Sequence, residues 1–429
     1  MSRIHLASCA FFLALRRVGV GFSHLNGAQG ALWLQPRMGV PQLGSMRAGV
    51  AGVKDLPFST IGTITIDNFT RLDQVDEARK ALMRGDFLSG FPLLCYDPDV
   101  IKEHILRLTD ATFPIQVRHG TPRPQALFTH MLKCGLTLTE GGPVSYCLPY
   151  SAATRLIDAV RAWEEGCHTL SAHKDAHIES FGGCLMGQMC HPSLLVAVGI
   201  LEALFFQTCG LRSLSLSYAQ QYSLVQDLAA LKVLARLAKE YLAPHTSWHT
   251  VVYTFMGLFP LTSRGHAHLL KDSVWLARHG GAKRLIVKTD QEACGLPTIT
   301  SNIDALTLAN TFAQSALPPL QEDHQEEESI YTQAKILIDE TLTLSENIGR
   351  ALELAFKKGI IDIPFCMHPD NLRQAFCDID ACGYLQWKAT GNMPITACKE
   401  EIKTANFNKI TAKSFLEMLA FNRTRYDTL

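Results

Sequence analysis

The stretch "SLSLSYAQQYSLVQDLAALKVLARLAKEYLAPHTSWHTVVYTF", residues 213–255, contains a strand, a helix and a second strand in one run. Residues 213–218 and 250–255 are short and rich in strand-forming side chains. Residues 224–242 repeat apolar side chains at three- and four-residue spacing, which is typical of a helix that packs on a sheet. Because both strands are apolar and a helix joins them, the stretch predicts parallel strands covered by helices.

The same alternation extends over about 300 residues. A further helix-like segment covers residues 152–166, and nine segments are candidate strands: residues 31–35, 63–67, 91–96, 115–118, 136–140, 177–181, 213–218, 250–255 and 284–288. Eight strand–helix units close a TIM-type (β/α)8 barrel, so we expect that α/β fold and expect at least one candidate to lie outside it. A doubly wound open sheet is the alternative.

We divide the chain into an N-terminal leader or helix (residues 1–28), a barrel (29–320) and a C-terminal extension of helices and loops packed on it (321–429). The apolar run from Ile4 to Leu15 is closed by Arg16 and Arg17 and is too short to span a bilayer. The acidic run at residues 321–329 is expected to be a surface loop or a helix start, followed by a helix over residues 331–358.

The composition narrows the class of protein. Hydrophobic residues make up 47% and charged residues 19%, which suits a large core and argues against disorder. Lys+Arg and Asp+Glu balance at 40 each, so composition predicts neither nucleic-acid nor membrane binding. The thirteen cysteines include no C-x-x-C pair, which indicates buried thiols in a reducing, cytoplasmic setting rather than disulfides or a metal site in this chain.

Polar residues recur where the predicted strands end, the edge at which active sites of parallel α/β folds form. They are Arg37, Arg71, Arg118 with His119, Glu140, Tyr146 and Tyr150, Lys288 and Glu292. Three guanidinium groups at one mouth repel one another unless anions neutralise them, and the forked guanidinium suits carboxylates. We therefore expect a pocket for a small dicarboxylate or phosphate, with Glu140 receiving an ammonium group and the tyrosines offering hydroxyls.

Each arginine taken singly has a simpler interpretation, which is an ion pair with a nearby acid. Asp67 is available to Arg71, and Asp110 is available to Arg118. The shared strand-end position of the three arginines favours a common site over three separate pairs.

The motifs around these residues resemble one family, the large (epsilon) subunit of glutamate mutase, also called methylaspartate mutase. The resemblance runs in order from about residue 30 to about residue 405, and its motifs are "QPRMGV", "TIDNFTR", "QVRHGTP", "TEGGPVSYCLPY", "AVGILEALF", "QDLAALKVLARLAKEYL", "FMGLFP", "IVKTDQEACGLPT" and "DIPF". It implies an isomerase with a barrel fold that rearranges L-glutamate and L-threo-3-methylaspartate by adenosylcobalamin-dependent radical chemistry.

The resemblance also implies roles for single residues. Substrate carboxylates would bind to Arg37, Arg71 and Arg118. His119 would orient the substrate or the corrin, Glu140 would receive the ammonium group, and Tyr146 and Tyr150 would complete the pocket. Cobalamin would face Gly39, Ser89, Pro149, Phe259, Lys288, Glu292 and Leu296, with Lys288 and Glu292 bonding the adenosyl ribose.

The family takes its cobalt ligand from a separate small subunit with a D-x-H-x-x-G motif. "DAHIES" (residues 175–180) nearly matches this motif but ends in Ser180 and coincides with a predicted strand, so we interpret His177 as structural. The resemblance thus implies an obligate small cobalamin-binding partner and a heterotetramer that contains a homodimer of this chain.

The sequence departs from the family at Arg123 ("GTPR"), Pro143 ("EGGP"), Ser89 ("SGFPL") and residues 217–223 ("SYAQQYS"). These departures put cobalamin affinity and substrate breadth in question. Two other hypotheses are therefore kept: a paralogue that acts on another amino dicarboxylate in a biosynthetic pathway, and a non-catalytic dicarboxylate-binding relative. A metal-dependent barrel lyase is less favoured, because no carboxylates cluster at consecutive strand ends.

Overall fold

The computed structural model describes Phe22 and residues 31–316, 319–395 and 410–429. The N-terminal leader predicted for residues 1–28 therefore lies outside the described residues except at Phe22. Among the described residues, no helix is both long enough and apolar enough to cross a bilayer.

Eight parallel strands form the centre of the fold, and their order around the sheet is β1-β8-β7-β6-β5-β4-β3-β2. A bridge between Leu34 and Thr60 joins β1 to the β2 side and closes the barrel. The (β/α)8 barrel is therefore confirmed and the open sheet is not. The strands are β1 Trp33–Pro36, β2 Gly62–Thr65, β3 Ile115–Arg118, β4 Leu138–Gly141, β5 His177–Ser180, β6 Ser213–Ala219, β7 Ser247–Tyr253 and β8 Arg284–Val287.

Helices follow the strands and cover the barrel. They are α1 Leu43–Lys54, α2 Asn68–Arg71, α3 Val75–Arg84, α4 Pro98–His104, α5 Gln125–Lys133, α6 Leu156–Ser171, α7 Pro192–Thr208, α8 Leu224–Tyr241, α9 Ser263–His279, α10 Ile299–Gln314, α11 His324–Leu342, α12 Ile348–Lys358 and α13 Ala412–Asp427. The strand predicted at residues 91–96 is wrong. Phe91 makes one bridge to Ile66, and Leu93–Cys95 form a 3-10 turn after Pro92, whose nitrogen has no hydrogen to donate.

The C-terminal extension shares the hydrophobic core of the barrel, since Ile330, Leu352, Trp387 and Tyr426 belong to the same buried cluster as the strands. The acidic run begins α11, capped by Asp323. The single helix expected over residues 331–358 is two helices, because Asn347 starts the second by capping α12. The extension also contains a hairpin, β9 Ala375–Ile379 and β10 Leu385–Thr390, which the sequence interpretation missed.

The lower half of the barrel is filled by a polar network around Arg284 on β8, whose side chain is fully buried. Its guanidinium forms an ion pair with Glu179 on β5 and donates to Gln35 (2.7 Å) and to the His249 ring (2.9 Å). Both ring nitrogens of His177 bond serine hydroxyls of β6, which agrees with a structural role. A buried charge needs such partners, so this network fixes the floor beneath the mouth.

Candidate functional site

A cavity that is open at its mouth lies at the C-terminal end of the barrel. It is lined by residues that end or follow every barrel strand except β6. They are Arg37, Thr65, Arg71, Arg118, His119, Gly120, Glu140, Tyr146, Tyr150, Phe181, Tyr253, Met256, Ile286 and Lys288. All seven residues expected to bind substrate therefore line one cavity.

Arg118 and Glu140 end the neighbouring strands β3 and β4, so the sheet places them side by side. The Arg118 Nε donates to Glu140 Oε2 at 2.7 Å, and both side chains are almost fully buried. Burial opposes the charge of Arg118, but the adjacent Glu140 carboxylate raises the pKa of that guanidinium above its ordinary value. Among the described residues, Arg118 Nη1 is buried without a hydrogen-bond partner, which leaves a donor for a ligand.

Arg71 and Arg37 line the same cavity. Arg71 donates from Nη2 to the Ile66 carbonyl (3.2 Å), and its buried Nε has no partner in the described part of the chain. Burial and the nearby Arg37 lower the pKa of Arg71. Arg37 is part exposed and pairs with Glu292 at 3.0 Å.

The two pairings considered from the sequence, Arg71 with Asp67 and Arg118 with Asp110, are wrong. Asp67 instead caps α2 by accepting from the backbone N–H groups of Phe69 and Thr70. Asp110 pairs with Lys54 at 2.7 Å. The arginines thus converge on the cavity instead of being neutralised by these two acids.

Glu140 is held by tyrosine hydroxyls as well as by Arg118. The Tyr146 hydroxyl bonds its Oε1, and the Tyr253 hydroxyl lies 2.8 Å from its Oε2. Burial is the main cause that raises the pKa of Tyr146 and Tyr253, so both phenols stay protonated. Glu140 is therefore a fixed acceptor at the inner end of the cavity.

His119 and Tyr150 complete the wall. The His119 ring stacks on Trp163 (centroids 5.6 Å apart), and its Nδ1 accepts from the Thr121 N–H. Burial lowers the pKa of His119 to about 3, so it contributes a neutral ring to the cavity. Tyr150 is 44% exposed and lies at the mouth, where its ring meets the edge of Tyr146.

Lys288 is the cofactor-facing candidate that lines the cavity. Its Nζ lies 3.2 Å from Glu292 Oε2, so that carboxylate is shared between Lys288 and Arg37. Burial lowers the pKa of Lys288 to about 8, although Glu292 raises it. The ammonium also lies 4.5 Å from the Phe259 ring centroid.

Comparison with known proteins identifies the family. The family model described as methylaspartate mutase E chain matches residues 23–422. This chain belongs to that family. It is 31% identical over 349 residues to the glutamate mutase epsilon subunit of Halobacterium salinarum, and the aligned residues make up 78% of this chain and 72% of the relative. The subunit of the same name from Desulfitobacterium hafniense is 29% identical over 404 residues, 90% of this chain and 82% of the relative.

Several positions that the family resemblance assigns to cobalamin lie outside the cavity wall. Gly39 is required by the barrel itself, because a Cβ there would overlap the Thr65 carbonyl oxygen. Phe259 is 2% exposed, and its ring lies beneath the Lys288 ammonium. Ser89 donates to Asn68 at 3.0 Å, Pro149 is half-buried, and Leu296 is 50% exposed.

The positions at which the sequence departs from the family pattern lie outside the cavity wall. Arg123 is exposed, and neither Pro143 nor any residue of 217–223 contributes to the wall.

Tyr253 is the functional candidate that sequence reasoning missed. It lines the cavity, its hydroxyl bonds both Glu140 and Glu179, and the Arg118 guanidinium lies 5.2 Å from its ring centroid. It is the last residue of β7, but it lies inside the apolar run that predicts a strand, and such a position indicates a core residue. Applying the strand-end criterion to tyrosines as well as to charged residues would have found it.

Proposed function

We propose that this chain is the large subunit of an adenosylcobalamin-dependent mutase that interconverts L-glutamate and L-threo-3-methylaspartate. One observation carries the proposal: Arg37, Arg71 and Arg118, which end or follow three different strands, line one cavity with the carboxylate of Glu140. Forked donors for two carboxylates and an acceptor for an ammonium group are the features of an amino dicarboxylate site.

The charges of the cavity support the same ligand class. Four cations, the three arginines and Lys288, face two carboxylates, Glu140 and Glu292. The side chains of the site therefore carry an excess of positive charge in a buried setting, which an anion with two carboxylates would offset. A neutral ligand or a simple amine would leave that excess in place.

In this proposal the three arginines clamp both carboxylates of the substrate, Glu140 accepts the ammonium group, and Tyr146 and Tyr253 hold Glu140 in place. Adenosylcobalamin would supply the radical that removes a substrate hydrogen and returns it. Lys288 and Glu292 fit a ribose, because a cation and a carboxylate 3.2 Å apart offer a donor and an acceptor to neighbouring hydroxyls.

The rim of the barrel supports a partner at this face. Leu258 and Leu261 follow β7 and Leu296 follows β8, and all three are exposed large apolar side chains in segments beyond the strand ends. Exposed apolar residues beside a binding cavity are typical of a surface that another molecule covers. We assign this rim to the small cobalamin-binding subunit, which would supply the cobalt ligand.

The test mixes the purified chain with a small cobalamin-binding mutase subunit, adenosylcobalamin and L-glutamate, and follows the formation of 3-methylaspartate. A second measurement titrates the chain alone with L-glutamate, glutarate and L-glutamine. We expect L-glutamate to bind best, because glutarate lacks the ammonium group and L-glutamine lacks the second carboxylate. Product from another amino dicarboxylate but not from L-glutamate would identify a paralogue, and binding without turnover would indicate a non-catalytic relative.

A further inference from the structure

Helix α7 contains one ionisable side chain, Glu202, in the otherwise apolar run "LLVAVGILEALFF". The side chain is fully buried. An unpaired carboxylate in such surroundings is strongly destabilising, so its partners indicate what it does. Glu202 does not line the cavity, and it takes no part in the substrate contacts described above.

The partners of Glu202 are hydrogen-bond donors rather than cations. Its Oε1 accepts from the backbone N–H groups of Val144 (3.1 Å) and Ser145 (2.8 Å). Its Oε2 accepts from the hydroxyls of Ser145 (3.0 Å) and Ser180 (3.1 Å). Burial raises the pKa of Glu202 to about 7, while these donors act to lower it.

Three of the four donors belong to the loop that carries Tyr146. This loop begins with helical turns, since the Tyr146 N–H donates to the Gly142 carbonyl (3.0 Å) and the Leu148 N–H to the Val144 carbonyl (3.0 Å). The first N–H groups of such a turn lack acceptors within it. Glu202 supplies the missing acceptor from a different helix.

The fit between this loop and the carboxylate is close. A Cβ on Gly142 would overlap the Glu202 carboxylate, so the backbone rests directly on it. The next residue outside these contacts, Tyr146, points its hydroxyl to Glu140 Oε1. The chain of contacts therefore runs from α7 through the first turn of the loop to the inner acceptor of the cavity.

We propose that Glu202 is a positioning residue, which fixes the turn at residues 142–148 and so aims the Tyr146 hydroxyl at Glu140. Its effect on substrate affinity rests on the proposed function, but its effect on the turn does not. The role predicts that the acceptor oxygens matter, whereas the negative charge can be replaced by an amide.

The test compares Glu202→Met, which removes both acceptors at similar length, with Glu202→Gln, which keeps one oxygen for the two N–H groups. Gln333→Met is the matched control, because Gln333 is a buried polar residue on α11 that bonds Ser193 and Trp387 away from the cavity. Hydrogen–deuterium exchange of residues 142–148 is measured without ligand, and L-glutamate affinity is measured by calorimetry.

We expect Glu202→Met to speed exchange in residues 142–148 by about tenfold or more, Glu202→Gln to stay near the wild type, and Gln333→Met to leave this segment unchanged. Glu202→Met should also weaken L-glutamate binding by about tenfold. In a Tyr146→Phe background the same change should weaken binding much less, because the hydrogen bond from the Tyr146 hydroxyl to Glu140 is already lost. Should Glu202→Met fail to fold, Ser145→Ala, which removes one donor, should speed exchange in the same segment by a smaller factor.

Unchanged exchange at residues 142–148 in Glu202→Met, or in Ser145→Ala where Glu202→Met does not fold, would overturn the inference. Fully additive losses of L-glutamate affinity in the Glu202→Met, Tyr146→Phe double variant would also overturn it. A wild-type chain that binds no amino dicarboxylate would instead reject the proposed function, and the exchange measurement would still decide the role of Glu202.

Discussion

The hydroxyl of Tyr253 lies 2.8 Å from Oε2 of Glu140 and also bonds Glu179, so one phenol joins two buried carboxylates. A hydroxyl has one hydrogen and donates to one of them at a time. Both carboxylates also have other partners: Glu179 pairs with Arg284, and Glu140 binds Arg118 and Tyr146. Tyr253 thereby connects the polar floor of the barrel to the acceptor that the proposed function assigns to the substrate ammonium.

Tyr253→Phe should keep the fold and weaken L-glutamate binding by about tenfold, because Glu140 loses a donor that holds it. Calorimetric titration measures the affinity. Tyr218→Phe is the matched control, since the Tyr218 hydroxyl donates to the buried carboxylate of Asp227 (2.8 Å) outside the cavity wall. A loss of affinity of the same size in both variants would contradict the assignment.

Arg118→Lys should leave the barrel folded and weaken L-glutamate binding by about tenfold to a hundredfold. Lysine can pair with Glu140 but cannot also present the second fork nitrogen, Nη1, which has no partner among the described residues. Arg155→Lys serves as control, because Arg155 is an exposed arginine that bonds Asp158 through two nitrogens away from the cavity. Equal affinities for the wild type and Arg118→Lys would remove Arg118 from the substrate clamp.

Glu292→Gln should tighten binding of L-glutamate to the isolated chain by a few-fold. The Glu292 carboxylate pairs with Arg37, and its negative charge opposes an anionic ligand. The same change removes the main cause that raises the pKa of Lys288, which should fall below about 8.

With the small subunit and adenosylcobalamin present, Glu292→Gln should lower activity, since one of the two charged acceptor oxygens offered to the ribose becomes an amide NH2 group and the other loses its charge. Glu103→Gln controls for charge, as Glu103 pairs with Arg107 on the exterior. Weaker L-glutamate binding in Glu292→Gln would contradict this prediction, because it would show that the Glu292 carboxylate does not compete with the substrate for Arg37.

Asp227→Asn should flatten the dependence of stability on pH. Burial raises the pKa of Asp227 from 3.8 to about 7. Between those values the folded chain holds a proton that the unfolded chain has lost, so the free energy of unfolding falls as pH rises through that window. Glu202, whose pKa is raised to about 7, adds to the same trend.

Urea unfolding of the wild type and Asp227→Asn at about pH 5 and about pH 8 measures this dependence. The variant should lose less stability than the wild type between the two conditions. An identical loss in both proteins would show that Asp227 titrates in its ordinary range.

Local patterns in the sequence accounted for most of the fold. Eight of the nine candidate strands form the barrel, because apolar β-rich runs between helical repeats have one compatible arrangement when both faces are covered. The error at residues 91–96 and the missed hairpin at residues 375–390 have one cause. Whether a short apolar run becomes a strand depends on a neighbour to bond, which the run itself does not encode.

The sequence by itself determined the alternation of strands and helices and the residues at strand ends, and with them the three arginines and Glu140. Only the tertiary structure decided the partners of those charges, such as Glu292 for Arg37 and Tyr253 for Glu140. It also decided that Glu202 accepts from the turn that carries Tyr146. Periodicity is a local property that neighbouring residues fix, whereas a charge finds its partner across strands and helices far apart in the chain. Those pairs form only when the barrel closes, because closure sets which strand ends face one another.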